Sequence, residues 1–299
     1  MTPSELKSRL KGIYVLAVTP MNEDLSFNPA ALKNNIDSFI ASGVHGIVVG
    51  GTYAEYPSLT IEERKELFQA AAEATAGRVP LLCCTAASGT YEAIELARAA
   101  KEAGADGVMV TPPYVSEVRP KDIAYHFQKL DEAAEIPILI YNSASIGVHL
   151  TPEELAELGK LPNVAGVKQG AVDLHALVRT VAYASGDISV MCGSDGLALG
   201  ALASGLDGVT STNSNFMAAE FVALYEEFGR GQNMKALERY YRWQPVRELA
   251  RKYGQPAMVK AAMELVGLSA GPVRAPFQTL DMEAKRDIEH SLRTAGILE

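Results

Sequence analysis

The stretch NVAGVKQG (163–170) is a short apolar run, closed on one side by Pro162 and on the other by Gly170, in which Lys168 is the only charge. A run of this length bounded by turn residues reads as a strand buried on both faces, because amphipathic helices need longer patterns with a 3.6-residue period. Seven more runs of the same kind flank it: YVLAVTP (14–20), GIVVGG (46–51), PLLCCTA (80–86), GVMVTPP (107–113), PILIYN (137–142), SVMCGSD (189–195) and GVTSTN (208–213). Between them lie helical patterns with start signals, NPAALKNNIDSFIAS (28–42), TIEERKELFQAAAEA (60–74), TYEAIELARAAKEAG (90–104), PKDIAYHFQKLDEAA (120–134) and TPEELAELGK (151–160). Eight near-equal βα units predict an α/β fold, a closed (β/α)8 or TIM barrel over residues 1–229, since closure at that number leaves no edge strand. No GxGxxG opens the first helix, which removes the signal for an open nucleotide-binding sheet. From residue 230 to 299 the pattern is helical only: GQNMKALERYYRWQPVRELARKY (231–253), QPAMVKAAMELVGL (255–268) and DMEAKRDIEHSLRTAG (281–296). This segment is expected as a C-terminal helical extension packed on the barrel, in one structural unit with it.

Composition narrows the function classes. The 299 residues are 48% apolar and 21% charged, with no apolar run near the roughly 20 residues that cross a bilayer, so no membrane role is expected. The N-terminal stretch lacks an export signal's apolar core, and a cytoplasmic location is expected. A formal charge of −9 opposes nonspecific binding to nucleic acid, and an anionic substrate must be held by local groups. Cys83, Cys84 and Cys192 form neither a disulfide framework nor a metal spacing, and the five histidines are scattered, so no metal and no cofactor are expected.

In such a barrel the chemistry sits at the C-terminal ends of the strands. Four places there carry candidate groups: GGTYAE (50–55), TPPY (111–114), YN (141–142) and Lys168. An unpartnered ammonium among the helices would be costly, whereas the barrel interior near the mouth tolerates it. Strand alternation groups Lys168 with Gly166 and Val164, and Val167 with Ala165. Desolvation disfavours a charged amine and exposes its lone pair, giving a nucleophile for carbonyl carbon. The alternative is an ion-paired lysine at the rim. Tyr141, on the preceding strand, is either a proton carrier beside that amine or a core tyrosine. Thr52 and the free amides of GGTYAE form either a carboxylate cradle or a plain βα turn.

Taken in order, Thr19-Pro20, GTYAE, TPPY, YN, GVKQ, GSD (193–195), KAAMELVGL and GPVRAP resemble the class I pyruvate aldolases, the family of dihydrodipicolinate synthase and N-acetylneuraminate lyase, over nearly the whole chain. The resemblance implies that Lys168 forms a Schiff base with pyruvate or another 2-oxo acid and that Tyr141 shuttles the proton. It further implies that Thr52 links Tyr141 to Tyr114, which reaches in from a neighbouring subunit of a homotetramer built as a dimer of dimers. Amides around Thr52 and Tyr53 would hold the pyruvyl carboxylate, and Gly193 and Thr210 would line the pocket. The chain departs from the family at Tyr53 and Ala54, which replace a hydroxyl residue and a glycine. After YN, the turn SASIG (143–147) is one residue shorter and lacks the proline and the arginine with which the synthases grip a far carboxylate.

The expected activity is therefore that of a lyase making or breaking a carbon–carbon bond between pyruvate and an aldehyde. Besides a non-catalytic sensor that keeps the barrel, which the departures at Tyr53 and Ala54 leave open, three alternatives accompany it. One is a dehydratase of 2-oxo-3-deoxy sugar acids using the same Schiff base. Another is an authentic 4-hydroxy-tetrahydrodipicolinate synthase, disfavoured by the missing arginine. The third is a sugar-phosphate-binding barrel using CGSDG (192–196), where Asp195 would repel phosphate unless it caps a helix. Tyr53, Tyr56, SASIG and the loop VSEVRP (115–120) are expected to shape the second-substrate half of the pocket, with Arg119 binding a distal anion if its loop folds inward.

Overall fold

In the computed structural model, which describes residues 1–143, 146, 148–170 and 173–298, eight strands follow one another round a closed parallel barrel. They are β1 (Gly12–Leu16), β2 (Gly46–Val49), β3 (Leu81–Cys84), β4 (Gly107–Val110), β5 (Ile138–Asn142), β6 (Val164–Gln169), β7 (Ser189–Cys192) and β8 (Gly208–Ser211). β8 returns to β1 in the register Tyr14↔Thr210. All eight predicted strands exist, and most extend less far than predicted at their C-terminal ends. Their last residues (TP, GG, TA, TPP, SD, TN) leave the ladder and become the rim of the mouth.

Outside the barrel lie α2 (Pro29–Ala41), α3 (Ile61–Thr75), α4 (Thr90–Ala103), α5 (Pro120–Ala134), α6 (Pro152–Leu158), α7 (Leu174–Ala184), α8 (Ala198–Ala203) and α9 (Ser214–Gly229). Thr60 and Thr151 close capping boxes with Glu63 and Glu154, which satisfies backbone groups that helix starts leave open. The preceding helix α1 (Pro3–Arg9) was not expected, because seven residues carry too little periodicity to be read. Its Leu6 and the following Leu10 are fully buried in the same apolar cluster as Tyr14, Leu82, Met109, Leu139 and Met191, which face the barrel interior. The space for them is made by glycines on alternate strands. A Cβ on Gly107 would lie 2.7 Å from Leu6, one on Gly166 would lie 2.8 Å from Leu10, and one on Gly46 would lie 2.2 Å from Tyr14. Alternate strands thus supply backbone while α1 and Tyr14 supply volume, a variant of the layered filling of such barrels.

The β5–β6 register shifts between Ile138 and Leu139, pairing Ile138 with Val164 but Leu139 with Gly166. The extra residue, Ala165, joins the interior cluster, while Val164 and Val167 join the outer one. Strand alternation alone had placed Val164 with Lys168 and Ala165 with Val167. The bulge breaks that phase below Gly166 and leaves it intact from Gly166 to Lys168.

The C-terminal helices are α10 (Asn233–Arg242), α11 (Gln244–Tyr253), α12 (Gln255–Leu265) and α13 (Met282–Thr294). The expected single run 231–253 is two helices, because Pro245 in the first turn of α11 has no N–H to continue α10. Trp243 at the junction is buried against Phe221 of α9, with ring centroids 4.7 Å apart, and its indole N–H donates to Glu220 at 3.0 Å. Among the described residues, no helix is long and apolar enough to cross a membrane.

Candidate active site

Tyr141 and Lys168 are direct register partners on β5 and β6, so their side chains emerge together at the C-terminal end of the barrel. The following residues point the other way and are fastened outside it. The Asn142 amide donates to Gln169 Oε1 at 2.8 Å and to Leu150 O at 2.9 Å, and Gln169 Nε2 donates to Thr180 at 2.9 Å. This buried network holds the rotational phase of both strands, and through it the aim of Tyr141 and Lys168.

Lys168 is only 3% exposed, and its Nζ lies 3.6 Å from the centroid of the Tyr141 ring. Aromatic electron density thus stands in for part of the lost hydration of the cation. Both residues line a cavity of about 500 Å³ together with Tyr53, Ser143, Gly193 and Thr210. Gly193 leaves room for the lysine: a Cβ there would sit 3.0 Å from Lys168 Cε and press on it. The Thr210 hydroxyl donates to Cys192 O at 3.2 Å, which anchors β8 to the end of β7.

Thr52 begins a short 3₁₀ turn (Thr52–Ala54) after β2, and its hydroxyl is buried without a hydrogen-bond partner. Tyr53 lines the cavity, and burial raises its phenol pKa, with the nearby Tyr141 and Asp195 adding to the effect. Glu55 closes the turn in a left-handed conformation at φ 64°. Fully buried, it pairs with Lys260 of α12 at 2.7 Å and accepts the Arg274 backbone N–H at 2.8 Å. Lys260 Nζ also donates to Pro272 O at 2.8 Å. Three sequence motifs, GTYAE, KAAMELVGL and GPVRAP, therefore converge on one buried ion pair that clamps the 3₁₀ turn to the C-terminal helices.

Asp195 lies in the cavity wall at the start of a second 3₁₀ turn, and its side chain caps neither that turn nor α8 behind it. Its carboxyl is pushed up to about 6 by burial, opposed by the Ser211 hydroxyl, the Asn213 amide and the Arg247 charge. Asn213 N donates to Oδ2 at 3.2 Å, while Oδ1 is buried without a partner.

Other expectations are met differently. Tyr114 is 69% exposed and lies outside this cavity, so a single chain does not bring it to Lys168. Arg119 does not turn inward; it flanks the start of α5 and pairs with Asp122, one turn on, at 2.7 Å. Tyr56 is also outside the cavity lining, with Arg64 stacked 5.1 Å from its ring centroid. Of SASIG, Ser143 lines the cavity and Ile146 packs on the interior cluster, whereas 144, 145 and 147 lie outside the described residues.

Sequence reading missed the wall formed by the C-terminal segment. Gln244, Arg247, Glu248 and Arg251 of α11, with Gln255 at the start of α12, face the same cavity as Lys168. The signal was present: these polar residues fall at three- and four-residue spacing, while Val246 and Leu249 on the opposite face are buried.

Comparison with known proteins agrees with this geometry. The dihydrodipicolinate synthetase family matches residues 9–295. A 4-hydroxy-tetrahydrodipicolinate synthase of Methanoculleus marisnigri is 37% identical over 93% of this chain and 96% of its own length. A crystal structure of a dihydrodipicolinate synthase superposes with a TM-score of 0.91 at 31% identity, over 97% of this chain and all of that one. A structure titled as the first monomeric dihydrodipicolinate synthase variant gives 0.93 at 26% identity, over 98% and 99%. With a buried lysine and tyrosine paired at the mouth of an eight-stranded barrel and a family match over nearly its full length, the chain belongs to the dihydrodipicolinate synthetase family and is a lyase.

Proposed function

We propose that the protein forms or cleaves a carbon–carbon bond between pyruvate and an aldehyde through a Schiff base on Lys168. The observation that carries this reading is the buried amine held 3.6 Å from the Tyr141 ring centroid in a cavity at the barrel mouth. In this mechanism the neutral amine of Lys168 attacks the C2 carbonyl carbon of pyruvate, and the carbonyl oxygen leaves as water after protonation by way of Tyr141. The resulting iminium withdraws electrons from C3, whose proton departs to give an enamine. That carbon then attacks the aldehyde, and hydrolysis of the iminium regenerates Lys168. Cleavage runs the same steps in reverse.

Thr52, with its buried hydroxyl free to bond, relays protons between Tyr141 and Tyr114 of a second copy of the chain. Tyr114's exposure supports a dimeric or tetrameric active form, which light scattering of the protein tests. Backbone amides at Thr52 and Tyr53 hold the pyruvyl carboxylate, and Gly193 and Thr210 shape the space around it. No cofactor enters this cycle, and the setting is the cytoplasm. The test is incubation with pyruvate and borohydride. The Lys168 peptide should gain the reduced pyruvyl group, and its absence would remove this reading.

A second reading is favoured by Asp195. A carboxyl held near pH 6 in the cavity wall is suited to protonate a departing hydroxyl, which is the need of a 2-oxo-3-deoxy sugar acid dehydratase working through the same Schiff base. Assaying sugar acids for water loss against pyruvate release separates the two. The named relatives support a third outcome, tetrahydrodipicolinate synthesis, to be tested with aspartate semialdehyde. The phosphate-binding reading is the least supported, since the Asp195 carboxyl lines the cavity it would need.

A further inference from the structure

We infer that Arg247 of α11 is the specificity residue for the far end of the substrate, binding a second anionic group, a carboxylate, while Lys168 holds the 2-oxo end. The inference rests on the Schiff-base reading above, since the 2-oxo end must be fixed for the far end to meet α11.

The chain as a whole repels anions, with a formal charge of −9, yet the cavity gathers Lys168, Arg247 and Arg251 against two carboxylates, Asp195 and Glu248. Glu248 is engaged within its own helix, and Asp195 through one of its two oxygens. Glu248 accepts the Gln244 amide at 3.0 Å, and Asp195 accepts the Asn213 N–H and closes no ion pair with Arg247.

Arg247 is fixed rather than free. Its guanidinium lies 4.0 Å from the centroid of the Tyr240 ring, and Nη2 donates to Gln244 Oε1 at 2.6 Å. Its Nη1 is buried with no acceptor. A guanidinium stacked on one face and tethered at Nη2 keeps an unsatisfied donor at Nη1; since that nitrogen is shielded, a carboxylate in the cavity engages it when the side chain shifts, completing the fork with charge-assisted hydrogen bonds. Burial lowers the pKa of Arg247, and the nearby Tyr240, Asp195 and Glu248 only partly offset it. Arg251, one turn further along the same face, adds charge at the rim. The cavity, about 500 Å³, has room beyond a three-carbon acid for a longer adduct.

The test needs no knowledge of the natural aldehyde. 2-Oxoglutarate and 2-oxoadipate extend from C3 as an adduct would and end in a carboxylate; 2-oxopentanoate and 2-oxohexanoate match them in length without it. Half-maximal borohydride trapping of wild-type protein should require about tenfold less of the better dicarboxylate than of its uncharged counterpart. In Arg247→Gln that ratio should fall to near one, in Arg251→Gln it should fall less, and Arg247→Lys should be intermediate. Equal trapping of charged and uncharged acids by the wild type, or a preference that survives Arg247→Gln, would overturn the inference. Thermal-shift titrations with the same acids read Arg247 without covalent capture. If pyruvate leaves no adduct but the dicarboxylate preference in melting temperature disappears with Arg247, the Schiff-base reading fails and the anion site stands. Retained cooperative melting of Arg247→Gln shows that loss of preference is not loss of fold.

Discussion

At the scale of single residues, the proposed chemistry depends on Lys168 and Tyr141, a buried amine 3.6 Å from the centroid of a phenol ring. Tyr141→Phe keeps the ring under Lys168 but removes the proposed proton carrier. Turnover is expected to fall by roughly 10²- to 10⁴-fold while pyruvate still binds, as steady-state kinetics and a binding titration would show. Titration of two other buried groups sets the pH response of stability. His126, buried on α5, bonds Thr90 through Nδ1 at 2.9 Å, and burial depresses its pKa from 6.5 to about 4. Between those values the unfolded chain binds more protons than the folded one, so stability falls as pH drops from 6.5 toward 4, by up to about 3 kcal/mol for this group. Asp195 works in the opposite direction: its raised pKa means the folded chain holds the proton between 3.8 and about 6, so its contribution is lost as pH rises through that window. Urea melts at pH 5 and pH 7 should show His126→Gln flattening the acid loss and Asp195→Asn stabilising the protein at pH 7. An unchanged pH profile in His126→Gln would contradict the first assignment.

At the scale of elements, β6 carries the proposed nucleophile and also a glycine that the interior requires. Gly166→Ala would place a methyl carbon 2.8 Å from Leu10 and 3.1 Å from Leu139. Overpacking of that kind costs about 1–3 kcal/mol, which a thermal melt would register, and pairing it with Leu10→Ala should recover part of the loss. Strand and helix existence was legible from runs such as PLLCCTA and TIEERKELF because burial on both faces, and capping boxes, leave marks in local composition. The helix α1 and the Ala165 bulge were not. Leu6 and Leu10 look like two residues of a polar N-terminus until the barrel closes over them. A bulge changes which face a residue occupies without changing what the residue is. The break between α10 and α11 was written in Pro245.

At the scale of the whole molecule, the C-terminal helices both fasten the barrel mouth and furnish one wall of the site. Glu55→Gln would leave Lys260 charged and buried without its partner. A loss of about 3–5 kcal/mol is expected, measurable by denaturant melts, with the double variant Glu55→Gln, Lys260→Met recovering part of it. Since Glu55 closes the turn that carries Thr52 and Tyr53, pyruvate affinity should weaken in the single variant as well. By itself the sequence determined the eight βα units and the barrel they form, and narrowed the lysine to the interior near the mouth or the rim, because periodicity, turn residues and the high penalty for burying a lone charge are local properties of the chain. Folding in three dimensions decided the rest. It left Tyr114 on the surface, turned Arg119 to Asp122, and brought Arg247 and Arg251 to a cavity some 80 residues away in sequence from Lys168. Those placements depend on how the C-terminal helices dock against a finished barrel, a long-range packing event that no local window of sequence records.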